Sequence, residues 1–272
     1  MVPQLSLASG YAMPQVGFGT WRLWGGEGIT AISAALRIGY RHLDTADYYN
    51  NHAEVARAMA GYPRAEIFLT SKVWPDDLRH DDLIAACKRN LHELRTDYLD
   101  LYLIHWPNPA IPMAESLEAL GELVAAGLVR SVGVSNFVQA RLAQALQISP
   151  VPISVHQFEL HPLLYQRELV EFCQAHGVAV TAYCPIARGA VSDNPVIRAI
   201  ARETGRTCAQ VSLRWLLQKG CAVIPRSRSI AHIRENFDIL DWELSPEQMQ
   251  RIDGIGEHRR LIRMEGYDEF ER

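Results

Sequence analysis

Asp44, Lys72 and His105 each stand at the end of a short apolar run, in Arg41-His42-Leu43-Asp44, Leu69-Thr70-Ser71-Lys72 and Tyr102-Leu103-Ile104-His105. Each gap between them is about 30 residues, the length of one strand-plus-helix repeat. Successive strands would therefore bring the three side chains side by side. Two tyrosines, Tyr48 and Tyr49, follow Asp44 in the loop that leaves the first of these strands. An acid, an amine, an imidazole and a phenol in one place suit the reduction of a carbonyl. As hydride reaches the carbonyl carbon, negative charge builds on oxygen and must be met by a proton and by oriented hydrogen bonds. A phenol of pKa about 10 matches neutral pH poorly unless a nearby cation favours its ionised form. Lys72 is the expected cation. Asp44 would hold it charged and fixed, and His105 would hydrogen-bond the carbonyl oxygen and orient the substrate.

Singly, these residues say little. Asp44 alone reads as a cap or turn former and Lys72 alone as a solvated charge. His105, between Ile104 and Trp106, reads as a buried histidine satisfied by a backbone carbonyl. Their shared placement at strand ends gives the set its meaning.

The elements that must position them are legible as a repeat. Short apolar, β-branched runs recur at 15–18, 40–43, 67–69, 98–104, 131–134, 153–157, 179–182 and 222–224. Helical periodicity fills the intervals at 27–38, 52–60, 81–94, 116–126, 138–146, 167–176, 208–218 and 230–237. Gly39, Gly61, Gly127, Gly177 and Gly220 fall just beyond helical segments, where a left-handed cap suits glycine. Eight such units, joined tightly and without a central linker, predict an α/β fold: a parallel sheet closed into a (β/α)8 TIM barrel, one domain over residues 1–272. Residues 5–15 read as a β-hairpin around Ser9-Gly10 that caps one end. The charged stretch after Gly256 lacks periodicity and reads either as a loop over the site or as a frayed end. A doubly wound sheet is the alternative fold, and it needs a glycine-rich turn after its first strand. Val16-Gly17-Phe18-Gly19-Thr20-Trp21 has two glycines but no third one opening a helix.

Composition narrows the function classes. Apolar residues make up 48% and charged residues 21%, enough to bury a large core without disulfides. The formal charge is −4 with basic residues scattered along the chain, which argues against a nucleic-acid partner. No run of about 18 apolar residues suggests a membrane span, and the N-terminus shows no secretory signal. The five cysteines, Cys87, Cys173, Cys184, Cys208 and Cys221, have no CxxC spacing. They read as free thiols of a reducing, cytoplasmic compartment. No HxH or HExxH spacing occurs, so no metal is expected.

The motifs together resemble the aldo-keto reductases, with a pattern like that of bacterial 2,5-diketogluconate reductases and small aldehyde reductases. The likeness runs from Gly17-Phe18-Gly19-Thr20-Trp21 to Glu235-Asn236-Phe237. The family pattern of Asp-Thr-Ala, two residues, Tyr, one residue, Asn ends here at Asn51, and it selects Tyr49 over Tyr48 as the donor. The resemblance implies a catalytic tetrad of Asp44, Tyr49, Lys72 and His105, NADPH/NADP+ as cofactor, a small carbonyl substrate and a monomer. It further implies that Ser135, Asn136 and Gln157 bond the nicotinamide amide, that Tyr183 stacks on its ring, and that Cys184-Pro185-Ile186 wraps the pyrophosphate. Arg226-Ser227-Arg228 would meet the adenosine 2′-phosphate, for which a planar guanidinium fork is well suited. Glu235 and Asn236 would lie near adenine, and Gly19, Thr20, Trp21 and Asp44 complete the cofactor side. Trp21, Tyr49, Trp74, His105 and Trp106 form the implied substrate pocket, although tryptophans taken alone are usually ordinary packing.

Four positions depart from the family pattern. His232 stands where relatives often carry an arginine beside the 2′-phosphate, with Arg226 and Arg228 left to supply charge. Cys184 replaces a serine but keeps its backbone N–H, His156 replaces an asparagine, and His52 replaces a glutamate. Two other classes compete with the reductase reading. One is a barrel that binds NADPH as a regulatory subunit, against which the intact tetrad argues. The other is a metal-dependent hydrolase, which would activate water at histidines and carboxylates.

Overall fold

The structure is a computed structural model that describes residues 2–270. Strands β1 (Gln4–Ser6) and β2 (Ala12–Pro14) pair antiparallel as the expected hairpin, with Gly10 at φ 88° in its turn. The barrel strands follow: β3 (Phe18–Gly19), β4 (His42–Asp44), β5 (Phe68–Val73), β6 (Leu99–Ile104), β7 (Val129–Ser135), β8 (Ile153–Glu159), β9 (Ala179–Tyr183) and β10 (Ala222–Val223). They form one eight-stranded parallel sheet in sequence order, so every runs-and-gaps unit read from the sequence becomes a strand and its crossover. A parallel bridge between Val16 and Val223 brings its two edges together. At this seam the Gly19 N–H donates to Pro225 O at 3.1 Å, and a Cβ on Gly19 would lie 2.8 Å from Ile224 O. A side chain there would push the seam apart, so the second glycine of Gly17-Phe18-Gly19 serves closure rather than a dinucleotide turn.

Helices α1 (Gly25–Ile38), α2 (His52–Met59), α3 (His80–Leu94), α4 (Met113–Ala125), α5 (Gln139–Ile148), α6 (Arg167–Ala175), α8 (Cys208–Gln218) and α9 (Ile230–Phe237) match the expected segments. Gly39 ends α1 with φ 129° as the pattern suggests, whereas α2 ends on Ala60 in a right-handed conformation. Two further helices, α7 (Pro195–Thr204) and α10 (Pro246–Asp253), have no counterpart among the expected segments. Their start signals are present in the sequence. Asn194 caps α7 ahead of Pro195, and Ser245 with Gln248 forms a capping box ahead of α10. Only Ile252 of α10 is buried, so its periodic apolar signal is faint.

Helices pack on the outside of the barrel, and β5 and β6 are buried at every position, as expected for parallel strands covered on both faces. The hairpin plugs the end opposite the strand C-termini. Leu7 and Met13 pack there on Phe68, Leu101, Leu103, Val155 and Ala222, while Ser9 Oγ meets Ser131 Oγ at 2.8 Å. The open question about the tail has a clear answer: His258 pairs with Leu164, Arg259 N–H donates to Leu163 O at 2.8 Å, and residues beyond them lie along the barrel mouth. Among the described residues no helix is long and apolar enough to cross a membrane.

Candidate active site

Asp44 ends β4, Lys72 lies in β5 beside Leu103, and His105 directly follows β6. Parallel pairing thus delivers all three to the same end of the barrel, the end where barrel enzymes hold their reactive groups. Tyr49 closes a short 3-10 turn, Asp47–Tyr49. Asn51 fastens this turn: its Nδ2 donates to Thr20 O at 2.7 Å and Leu23 O at 3.2 Å, and its Oδ1 accepts from Thr45 Oγ1 at 2.9 Å. Trp24 Nε1 adds a bond to Tyr49 O at 2.7 Å.

The four expected residues meet. Lys72 Nζ donates to Asp44 Oδ1 at 2.6 Å, to Thr45 O at 2.8 Å and to Tyr49 Oη at 3.4 Å. The other Asp44 oxygen accepts from Gln157 Nε2 at 2.8 Å. Both members of the ion pair are buried, so each relies on the other and on these hydrogen bonds in place of water. Burial lowers the Lys72 pKa and Asp44 opposes it. The imidazole of His105 lies 5.7 Å from the Tyr49 ring, centroid to centroid, at 76°. Burial first and Lys72 second hold its pKa well below the ordinary value, so it is neutral, and its buried Nδ1 has no hydrogen-bond partner among the described residues.

Tyr49 departs from the electrostatic expectation. Burial, then Asp44, then Cys184 push its phenol well above the usual value. The Lys72 ammonium lies nearer Asp44, at 2.6 Å, than the Tyr49 hydroxyl, at 3.4 Å. The phenol is therefore held protonated, the form a proton donor needs.

Aromatic rings wall the cleft at Tyr49 and His105. Tyr48 is sandwiched, 4.0 Å from Trp74 at 10° and 5.6 Å from Trp21 at 9°. Trp21 also meets Tyr49 edge-on at 4.9 Å, and Trp74 meets His105 at 5.4 Å. Trp106 is buried beside them.

From this end one cleft of about 910 Å³ runs past Gly19, Thr20, Asn136, Gln157, Tyr183 and Cys184-Pro185-Ile186 to Arg226, Ser227, His232, Glu235 and Asn236. Its size lies in the range of cofactor and substrate sites. Tyr183 is locked by its hydroxyl, which donates to Asn136 Oδ1 at 2.7 Å, and Asn136 Nδ2 donates to His105 O at 2.9 Å. Ser135 and Arg228 do not line the cleft. Ser135 Oγ accepts from Asn136 Nδ2 at 3.0 Å, and Arg228 Nη2 donates to Arg22 O at 2.9 Å. Arg226 Nε spans to Trp21 O at 2.7 Å. Burial and the charges of Arg228, Arg22 and Arg188 lower its pKa. Guanidiniums gathered in this way suit a polyanion such as a dinucleotide phosphate.

Sequence reasoning missed Arg22, Tyr48 and Arg188 as cleft residues, and of its two readings of the tail the loop over the site is the one that holds, since residues 261–264 line the cleft as well. Arg22 was readable as the neighbour of Trp21. Arg188 carries no local signal.

The two histidine departures support the framework. His52 Nδ1 bonds Glu93 Oε2 at 2.8 Å and its Nε2 bonds Ser71 Oγ at 3.1 Å, bracing α2 against α3 and β5. With Asp47 these residues form a group whose donor atoms lie within 4.8 Å of one another. Burial lowers the His52 pKa, so its link to Glu93 is a hydrogen bond from a neutral imidazole, while Arg89 lies 3.9 Å from Asp47. His156 Nε2 accepts from Phe137 N–H at 3.3 Å, and burial pushes its pKa down to about 3.

A closed parallel barrel with an Asp-Lys-Tyr-His cluster at its C-terminal mouth defines a class of oxidoreductase. The model of the Aldo/keto reductase family matches residues 15–257, and the chain belongs to that family of carbonyl-acting, nicotinamide-using oxidoreductases. It is similar to an aldo-keto reductase of Mycolicibacterium smegmatis, at 41% identity over 96% of each chain. It is 37% identical to the NADP-dependent D-sorbitol-6-phosphate dehydrogenase of Malus domestica, covering 92% of this chain and 93% of that one. Among solved structures, one described as a putative 2,5-diketo-D-gluconic acid reductase B superposes with a TM-score of 0.94 at 39% identity, over 98% of this chain and 96% of that one.

Proposed function

We propose that this chain is an NADPH-dependent reductase of small aldehydes and ketones, keto-sugars and methylglyoxal among them, with Tyr49 as the general acid. The observation that carries this reading is the single ammonium of Lys72 reaching both Asp44, at 2.6 Å, and the Tyr49 hydroxyl, at 3.4 Å. A bound nicotinamide supplies the hydride. Tyr49 gives its proton to the carbonyl oxygen as charge gathers there, and the phenolate left behind is met by Lys72. Neutral His105 offers an N–H to the same oxygen and orients the carbonyl. Asp44 keeps Lys72 charged, and Gln157 holds Asp44.

On the cofactor side Tyr183, steadied by Asn136, is a flat platform for the nicotinamide ring. Arg226, Ser227 and His232 are the proposed 2′-phosphate contacts, and the surrounding cations favour the extra phosphate of NADPH. The Malus domestica relative is described as NADP-dependent, which agrees with that preference. Five unpaired cysteines fit a reducing cytoplasm. Residues 1–272 would act as one domain and as a monomer, which light scattering at the mass of one chain would verify.

The test is NADPH oxidation at 340 nm with methylglyoxal and 4-nitrobenzaldehyde. Tyr49→Phe should lower turnover by about 10²- to 10⁴-fold, while NADPH quenching of tryptophan fluorescence stays near wild type. Unchanged turnover in this variant, or a wild-type protein inert across a broad carbonyl panel, defeats the proposal.

A further inference from the structure

Glu159 ends β8 and has no part in the chemistry proposed above, yet its carboxylate is fully buried. A carboxylate in that position costs several kcal/mol unless its lone pairs are filled. Three donors fill them. His161 Nε2 lies 2.9 Å from Oε1, Leu261 N–H donates to Oε1 at 2.8 Å, and Ile262 N–H donates to Oε2 at 2.9 Å. Two of the three are backbone amides of the tail. The neighbouring bonds reinforce them, since Gln166 donates to Glu159 O at 2.7 Å and accepts from Arg260 Nη2 at 3.0 Å.

The path of the tail shows what this junction controls. Residues 261 and 262 are pinned at the end of β8, whereas Tyr267 Oη bonds Asp76, just after β5, and Glu269 pairs with Arg141. Strands β5 and β8 are separated in the barrel by β6 and β7. The segment between the two anchorages spans from the end of β8 toward the loop after β5, and residues 261–264 line the same cleft as Tyr49, Trp74, His105 and Asn136. Glu159 grips the backbone of two tail residues, Leu261 and Ile262, that themselves face the cleft. Losing it would remove these two backbone anchors, while the holds upstream at Leu163 and Leu164 and downstream at Asp76 and Arg141 stay in place.

The geometry points to Glu159 as a positioning residue that fixes the Leu261-to-Met264 wall and thereby decides which carbonyl compounds the cleft accepts. The wall's effect on carbonyls rests on the function proposed above, but the latch does not. Two variants probe it: Glu159→Gln, which replaces an acceptor oxygen with a donor, and Ile262→Pro, which deletes one tail donor without touching the barrel core.

Tryptic cleavage after Arg263, followed by mass spectrometry on otherwise folded protein, reads the latch directly. It should accelerate about tenfold in either variant, as a locally opened segment does. The KM for methylglyoxal and for 2-naphthaldehyde should rise about tenfold or more, with kcat within about threefold, because the wall is displaced rather than the tetrad. Wild-type cleavage rates in both variants overturn the latch. Faster cleavage with unchanged KM for both aldehydes overturns the assigned effect on specificity. Should Glu159→Gln lose its native circular dichroism, Ile262→Pro decides alone. A wild-type protein that reduces no carbonyl defeats the proposed function, while the proteolysis still judges the latch.

Discussion

The Lys72 ammonium meets Asp44 Oδ1 at 2.6 Å with both side chains closed off from water. Such a pair is coupled: removing one partner strands the other charge in the interior. Lys72→Met or Asp44→Asn should each cost about 3–5 kcal/mol of unfolding free energy. The double variant should recover part of that loss while remaining inactive. Urea titrations measure this, and a double variant as unstable as the sum of the single ones would show that the pair is not coupled.

Arg226 reaches Trp21 O with its Nε, which leaves the rest of its guanidinium fork facing the cleft. Arg226→Ala should raise the KM for NADPH by about 10- to 100-fold, the worth of one charge-assisted phosphate contact. The KM for NADH should change far less. Equal losses for the two cofactors would remove Arg226 from the 2′-phosphate site.

Tyr48 fills the space between Trp21 and Trp74 as the middle ring of a stack. Tyr48→Ala opens a gap about one ring thick between two indoles, which an aryl aldehyde can enter. Ring stacking of this kind is worth about 0.5–1.5 kcal/mol beyond buried area. The kcat/KM ratio of 2-naphthaldehyde to methylglyoxal should therefore rise about tenfold. A ratio that does not move would assign Tyr48 to packing alone.

His156 supplies a pH test of stability. Burial pushes its folded pKa down to about 3, against about 6.5 in an unfolded chain. Between those values the unfolded state binds the extra proton, so stability is complete above about pH 6.5 and falls as pH drops. The slope contributed by one such histidine is about 1.4 kcal/mol per pH unit. His156→Asn, the residue expected in the family pattern, should flatten the acid limb of a plot of melting temperature against pH. An unaltered limb would place the acid sensitivity elsewhere, for example at His42 or His105, which burial also holds neutral.

Much of the site was legible because the barrel is a repeat. Asp44, Lys72 and His105 come from adjacent strands in register, so their regular spacing along the chain is also their proximity in space. The choice of Tyr49 over Tyr48 came from the family pattern, and the bonds of Asn51 to Thr20, Leu23 and Thr45 supply a physical reason for that pattern. Helices α7 and α10 were equally local in their signals, a capping residue followed by proline, and α7 also carries a buried apolar face of Ile197, Ile200 and Ala201, whereas α10 buries only Ile252.

By itself, then, the sequence determined the alternation of strand and helix and the placement of Asp44, Lys72 and His105 at adjacent strand ends, both of which depend on neighbours within one or two repeats. Only the tertiary structure decided that the tail lies across the mouth, that Arg22 and Arg188 join Arg226, and that burial, with Asp44 and Cys184, holds Tyr49 protonated. These outcomes depend on hydrogen bonds and charges between residues far apart in the chain. Loss of water around them follows from the closed barrel as a whole, and no local pattern of residue types encodes it.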